Sequence, residues 1–350
     1  MKGLFFLLLI FLLLSFGCQH SNPVDNPPDK GEPPKGYNLY VGNWGGNEVF
    51  VMDTDSNAVV DTLSGFPYTI WHLAVTKSGR KLYVCTRNDV PPTYSGNVFS
   101  VDLKARNSFL ISNEISDVFV APNGLVFVIT YMIDSKKGAL GVIDTVMDAI
   151  TYVDTLDIRD AHHNYQAVAF DRNRPLLYAV NNSNHLFAYD YDKKEIVRTY
   201  QSISLLRQMV ISNDGRYLYF AGGPVFDLET GQAIANVGGN ALGSLALSPD
   251  GEYLYITDPG VPGNIEITPS GKVFIFQTST NSYVGEIDVK EIEPNYGWLT
   301  DRIDLMPDGK TAYVSGWHVL VYVMDLENRE VTNVIEIPGF TRPMILGVKP

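Results

Sequence analysis

Aromatic and titratable side chains recur in this sequence as close neighbours: Asn43-Trp44, Trp71-His72, His162-His163 and Trp317-His318, with Trp298 just ahead of Asp301-Arg302. Such pairs set a large rigid apolar face beside a polar tip, the combination that anchors partners at interfaces. Asp160, His162 and His163 share the segment 157–165 and have donor types that suit a divalent cation. Loop neighbours seldom converge on an ion without ligands from elsewhere, so a solvated loop is the plainer reading. G-x-S-x-G, H-E-x-x-H, C-x-x-C, P-loop and G-x-G-x-x-G motifs are all missing. Any chemistry must therefore be assembled from segments far apart in the chain.

The elements that would assemble them are repeats. A turn followed by alternating apolar residues recurs at Gly36, Gly79, Gly124, Gly215, Gly251 and Gly309, and a seventh copy carries Arg174 in the glycine's place. Successive copies lie 36 to 58 residues apart, near the length of a four-stranded blade. A second marker gives the same count: a strand ending at an acidic turn, then a strand leaving it, around Asp53, Asp102, Asp144, Asp190, Asp227 and Asp325, with Gln277 in the remaining copy. An aspartate there can accept local backbone N–H groups.

These markers predict an all-β fold, a seven-bladed β-propeller spanning 37–350. The first copy opens at Tyr37 in a blade's second strand, while residues 343–350 read as a first strand with no blade to follow. The C-terminal strand is therefore expected to complete blade one and close the ring, leaving no long free edge. Strands A to D of a blade run outward from the channel, so A–B and C–D turns share one face and B–C and D–A loops the other. The second face collects all four tryptophans and the histidines His72, His162, His163, His185 and His318. It is the expected ligand-binding face.

Two series mark that face. Seven residues past each turn lie Asn43, Thr86, Tyr131, Asn181, Gly222, Asp258 and Gly316, of which Asn43, Asn181 and Asp258 also suit plain turns. The inner strands begin with His72, Asp117, Gln166, Arg207, Asp301 and Arg302. Converging there, they could grip an anionic or sugar-like ligand, or bond one another and plug the channel. Arg87 extends this face, and two long loops, 258–271 and 288–300, add acidic and aromatic residues.

The runs Leu39-Tyr40-Val41-Gly42-Asn43, Leu177-Tyr178-Ala179-Val180-Asn181 and Leu254-Tyr255-Ile256-Thr257-Asp258, with the turns Pro249-Asp250-Gly251 and Pro307-Asp308-Gly309, resemble YVTN-repeat propellers. That resemblance implies the propeller fold and leaves function open, since related propellers include surface-layer-like proteins, lactonases and propeller subunits of quinoprotein dehydrogenases. No family catalytic set transfers residue by residue. The expected function is a binding module for a protein, glycan or small molecule. A metal-dependent lactonase-like hydrolase is one alternative, in which Asn43, Asn181, Asp258 and Asp301 would ligate a divalent ion such as Ca²⁺. A propeller subunit of a periplasmic redox complex is another.

Residues 1–17 read as an export signal, with Lys2 ahead of the apolar run Leu4 to Leu14. Eleven apolar residues span about 16 Å as a helix, roughly half a bilayer core. Gly17-Cys18 resembles a bacterial lipoprotein signal, although Ser15 and Phe16 stand where that family has leucine and a small residue. The resemblance implies acylation of Cys18 and anchoring in the cell envelope; ordinary cleavage with Cys18 as a bystander is the alternative. The Pro-rich segment 18–36 reads as a stalk reaching at most about 50 Å. Cys85, inside a strand pattern, reads as a small buried hydrophobe. A net charge of −13, from 39 acidic against 26 basic residues, disfavours nucleic acid as a partner.

Overall fold

The computed structural model describes residues 36–88, 96–113, 117–132, 137–158, 168–181, 183–202, 208–238, 243–258, 271–289, 300–316, 318–339 and 341–349. Among these stand seven antiparallel sheets of four strands each, the blades of a propeller. The inner A strands are Thr341–Val348, Thr69–Val75, Asp117–Val120, Val168–Phe170, Met209–Ile211, Leu245–Leu247 and Arg302–Leu305, for blades one to seven in turn.

Blade one is built from both ends of the domain. Its A strand, Thr341–Val348, pairs antiparallel with its B strand, Tyr37–Asn43, from Tyr37 opposite Val348 to Asn43 opposite Thr341. The strand starts two residues before the expected Pro343 because Thr341 is pinned: its N–H and its hydroxyl both donate to the His318 carbonyl, at 2.9 and 2.8 Å. Arg342 and Pro343 fall at the register shift between Val41 and Asn43. An irregularity of this kind is where a proline can sit inside a sheet.

The core lies between blades rather than within them. Each hydrophobic cluster draws on two neighbouring blades, and one of them joins blade seven to blade one through Tyr313, Val321 and Val323 against Leu39, Val41 and Met344. The tyrosine four residues past each repeat turn serves this packing: Tyr40, Tyr83, Tyr178, Tyr219, Tyr255 and Tyr313 are at most 4% exposed, and Val128 takes the position in blade three. Burying a side chain of that size removes about 150–250 Å² from water. Tyr313 also donates its hydroxyl hydrogen to Asn57 Oδ1 at 2.8 Å, latching blade seven onto blade one.

The acidic turns behave as their sequence implies. In Asp53, Asp102, Asp144, Asp190, Asp227 and Asp325, Oδ1 accepts the backbone N–H groups two and three residues on, at 2.8 to 3.1 Å. The residue closing each turn takes a left-handed φ, as in Asn57, Arg106, Asp148, Lys194 and Arg329, or Gly231. Beyond these turns, every C–D pair shows a register shift. A bulge there interrupts the flat row of edge hydrogen-bonding groups that would otherwise recruit a second chain.

Candidate binding site at the channel mouth

The inner strands have no strand partner toward the axis, so their inward N–H groups need other acceptors. Side chains of the preceding blade supply them. Gln208 Oε1 accepts from Leu245 N–H at 3.1 Å, Ser244 Oγ from Ile303 N–H at 3.3 Å, and Asp304 Oδ2 from Leu346 N–H at 3.1 Å. These three residues stitch blade five to six, six to seven, and seven to one. Sequence reading missed all three: Gln208 and Ser244 each stand one residue ahead of an inner strand, and Asp304 lies within one. The signal for Asp304 was available: it lies two residues after Arg302, so both side chains leave the strand on one side.

Around this stitched ring stand His72, Asp117, Asp301 and Arg302, from blades two, three and seven. His72 Nδ1 lies 3.6 Å from Asp117 Oδ1, and Arg302 Nε lies 3.7 Å from Asp301 Oδ2. His72 is 7% exposed, with its ring edge-on to Phe119 at 5.3 Å. Its position depends on a bulge. Ile70 pairs with Thr86 and His72 with Cys85, so Trp71 is the extra residue. The bulge lets two consecutive residues serve the mouth differently: His72 stands at Asp117, and half-buried Trp71 carries the Arg87 guanidinium 4.3 Å from its ring centroid. A cation over an indole adds about 0.5–2 kcal/mol.

Burial governs the protonation of this group. It pushes Asp117 up to about 6, against the opposing pull of Arg302 and Arg87. It pushes Asp304 up to about 7, against the Leu346 N–H and Arg302. Burial first and Arg302 second push His72 down to about 3. The Asp117 side chain keeps 23% of its surface open, so water moderates the effect there. Near neutral pH the mouth therefore holds a neutral imidazole, a guanidinium, and two carboxyls close to their titration points. The Cys85 thiol opposite His72 is raised by burial and then by Asp117, and stays a protonated, buried side chain.

The other expected site residues are placed as follows. Asn43 and Asn181 build their own B–C turns: Asn43 Oδ1 accepts Gly45 N–H at 3.1 Å and its Nδ2 donates to Glu48 at 2.9 Å, while Asn181 Oδ1 accepts from Ser183 and His185 at 3.0 and 2.8 Å. His318 is 4% exposed, and its Nδ1 accepts Leu320 N–H at 2.9 Å. Trp44 borders the Asn43 turn, and Asp258 ends the strand Tyr253–Asp258, where its carbonyl accepts from the Thr300 hydroxyl at 2.9 Å. Tyr131 falls in the strand Val126–Met132, its side chain outside the described ones. His162, His163, Gln166, Arg207, Trp298 and Trp317 lie outside the described residues, with most of the two long loops. Among the described residues, no group of three or more His, Cys, Asp or Glu side chains could hold a metal ion.

The fold has known counterparts. One is a putative 6-phosphogluconolactonase from Bacteroides fragilis, 18% identical, matched over 91% of this chain and 99% of that one with a TM-score of 0.62. Another is the dihydro-haem d1 dehydrogenase NirN in complex with DHE, 15% identical, matched over 91% of this chain and 76% of that one with a TM-score of 0.58. At such identities the likeness is one of fold alone. No family model and no curated protein sequence matches the chain.

Proposed function

We propose that the protein is a binding module, exported and held at the cell envelope through Cys18, whose channel mouth takes a small hydroxyl-rich ligand of the sugar or sugar-acid class. One observation carries the reading: His72 stands 3.6 Å from Asp117 across two blades, Arg302 of a third blade acts electrostatically on both and on Asp304, and Arg87 lies over Trp71. A hydroxyl both donates and accepts. The mouth answers with an obligate donor in Arg302 and with carboxyls that accept when ionised and donate when protonated. Trp71 offers a rigid apolar surface next to them.

The test is thermal stabilisation of the full chain by a panel of monosaccharides, oligosaccharides, D-gluconate and D-glucono-δ-lactone. Arg302→Gln and Asp117→Asn are expected to abolish the shift, and Lys193→Ala on the opposite face to preserve it. A shift that survives both mouth variants would move the site elsewhere.

A hydrolytic reading has one specific observation behind it. A carboxyl near pKa 6 beside an imidazole is suited to general acid–base catalysis, and the Bacteroides fragilis neighbour bears a lactonase description. Turnover of D-glucono-δ-lactone that Asp117→Asn removes would favour the hydrolase; binding without turnover favours the module.

A further inference from the structure

The face opposite the mouth carries one anomaly. At the tip of six C–D turns stand residues with at least one polar member: Asp55-Ser56, Lys104-Ala105, Asp192-Lys193, Glu229-Thr230, Ser279-Thr280 and Glu327-Asn328. Blade three has Val146-Met147, exposed by 87% and 71%. The turn is as well built as its counterparts. Asp144 Oδ1 accepts Val146 N–H at 2.8 Å and Met147 N–H at 3.0 Å, and Asp148 bonds Lys81 at 2.7 Å. Two large apolar side chains are thus held outward on a fixed support, at a solvation cost that folding does not require.

The charges nearby are mixed: Asp144 and Asp148 bound the tip in its own turn, Lys77, Arg80 and Lys104 are exposed on blade two, and Lys193 on blade four pairs with Asp190 at 3.2 Å. What sets the tip apart is its exposed apolar pair, the kind of side chain that enters a bilayer interface.

The chain also enters the ring on this face. Gly36 accepts Lys349 N–H at 2.7 Å, and Lys349 Nζ bonds Asp53 and Asp55 in the C–D turn of blade one, at 2.8 and 2.7 Å. Residues 1–35, with the apolar run Leu4 to Leu14, are joined to that point. We propose that this face is the membrane side of the propeller, that Val146 and Met147 dip into the lipid headgroup region, and that the channel mouth looks away from the bilayer. The proposal rests on the anchored reading of the N-terminal segment given above.

The test places the photo-crosslinking residue p-benzoylphenylalanine at Met147, or at Ser183 in a B–C turn of the mouth face, in the full chain reconstituted with phosphatidylethanolamine/phosphatidylglycerol vesicles. Flotation with the vesicles and lipid adducts several-fold more abundant from position 147 than from 183 are expected. Flotation with adducts equal at both sites, or stronger from 183, overturns the orientation while leaving the anchor intact. Adducts from 147 to a second copy of the chain identify a protein contact and overturn the lipid assignment. Failure to float overturns the anchored reading and this proposal with it.

Discussion

Asp304→Asn isolates a single proton. The carboxyl sits on the innermost strand of blade seven, accepts Leu346 N–H of blade one, and is raised by burial from 3.8 to about 7. A folded value above the unfolded one means that the group's contribution to stability is fully present below about pH 4 and is lost as pH rises through 7. Between pH 5 and pH 8 the wild type should lose up to about 2–3 kcal/mol through this residue, the upper end applying if water reaches the carboxyl little. Asparagine keeps an oxygen for Leu346 N–H and cannot ionise. Relative to wild type, Asp304→Asn should therefore gain stability as pH rises, a Tm difference growing by on the order of 5 °C from pH 5 to pH 8. Differential scanning calorimetry at both pH values measures it. A Tm difference that stays flat with pH would refute the burial argument, since a purely steric effect has no reason to follow a proton.

Other expectations follow from the closed ring and its turns. Deleting 341–349 removes Met344, Ile345 and Leu346 from two inter-blade clusters, a loss on the order of 5–9 kcal/mol, comparable with the stability of a whole domain; the truncated chain should be insoluble or lack a cooperative unfolding transition, and an unchanged Tm would disprove closure. Asp102→Ala strips the acceptor from two backbone N–H groups and should lower the midpoint of urea unfolding with an unaltered m-value. Cys18→Ser should release the protein from the membrane fraction and abolish fatty-acid labelling; retention of a variant whose wild type takes up no label would remove the anchor.

The repeat turns made the architecture legible because most blades restate the same local solution: an acidic turn whose Asp accepts two N–H groups in all but blade six, and a tyrosine that fills the gap to the next blade in all but blade three. The orphan strand at the C-terminus was legible for a related reason, since a ring with one strand missing has only one place to put a spare. The site was harder to read. Trp71 and His72 look interchangeable as neighbours, and only the bulge assigns the imidazole to Asp117 and the indole to Arg87. Asn43 and Asn181 matched a ligand series by position, yet their side chains serve their own turns, which is what asparagine chemistry equally favours. Gln208 and Ser244 were invisible because their partners are backbone N–H groups of the next blade, which no local pattern records, whereas Asp304 could have been read from its spacing of two from Arg302.

Arg302 supplies the charged donor on which binding at the mouth would depend most. Isothermal titration of the full chain at pH 7 with the panel member that stabilises it most, repeated on Arg302→Gln, isolates the charged donor at the mouth. Loss of one charge-assisted hydrogen bond, about 1.5–3 kcal/mol, predicts an affinity weakened roughly 10- to 100-fold in a variant that still unfolds cooperatively. Equal affinity in the two proteins, or no binding by any member of the panel, would contradict the assignment of the channel mouth as a binding site for hydroxyl-rich ligands.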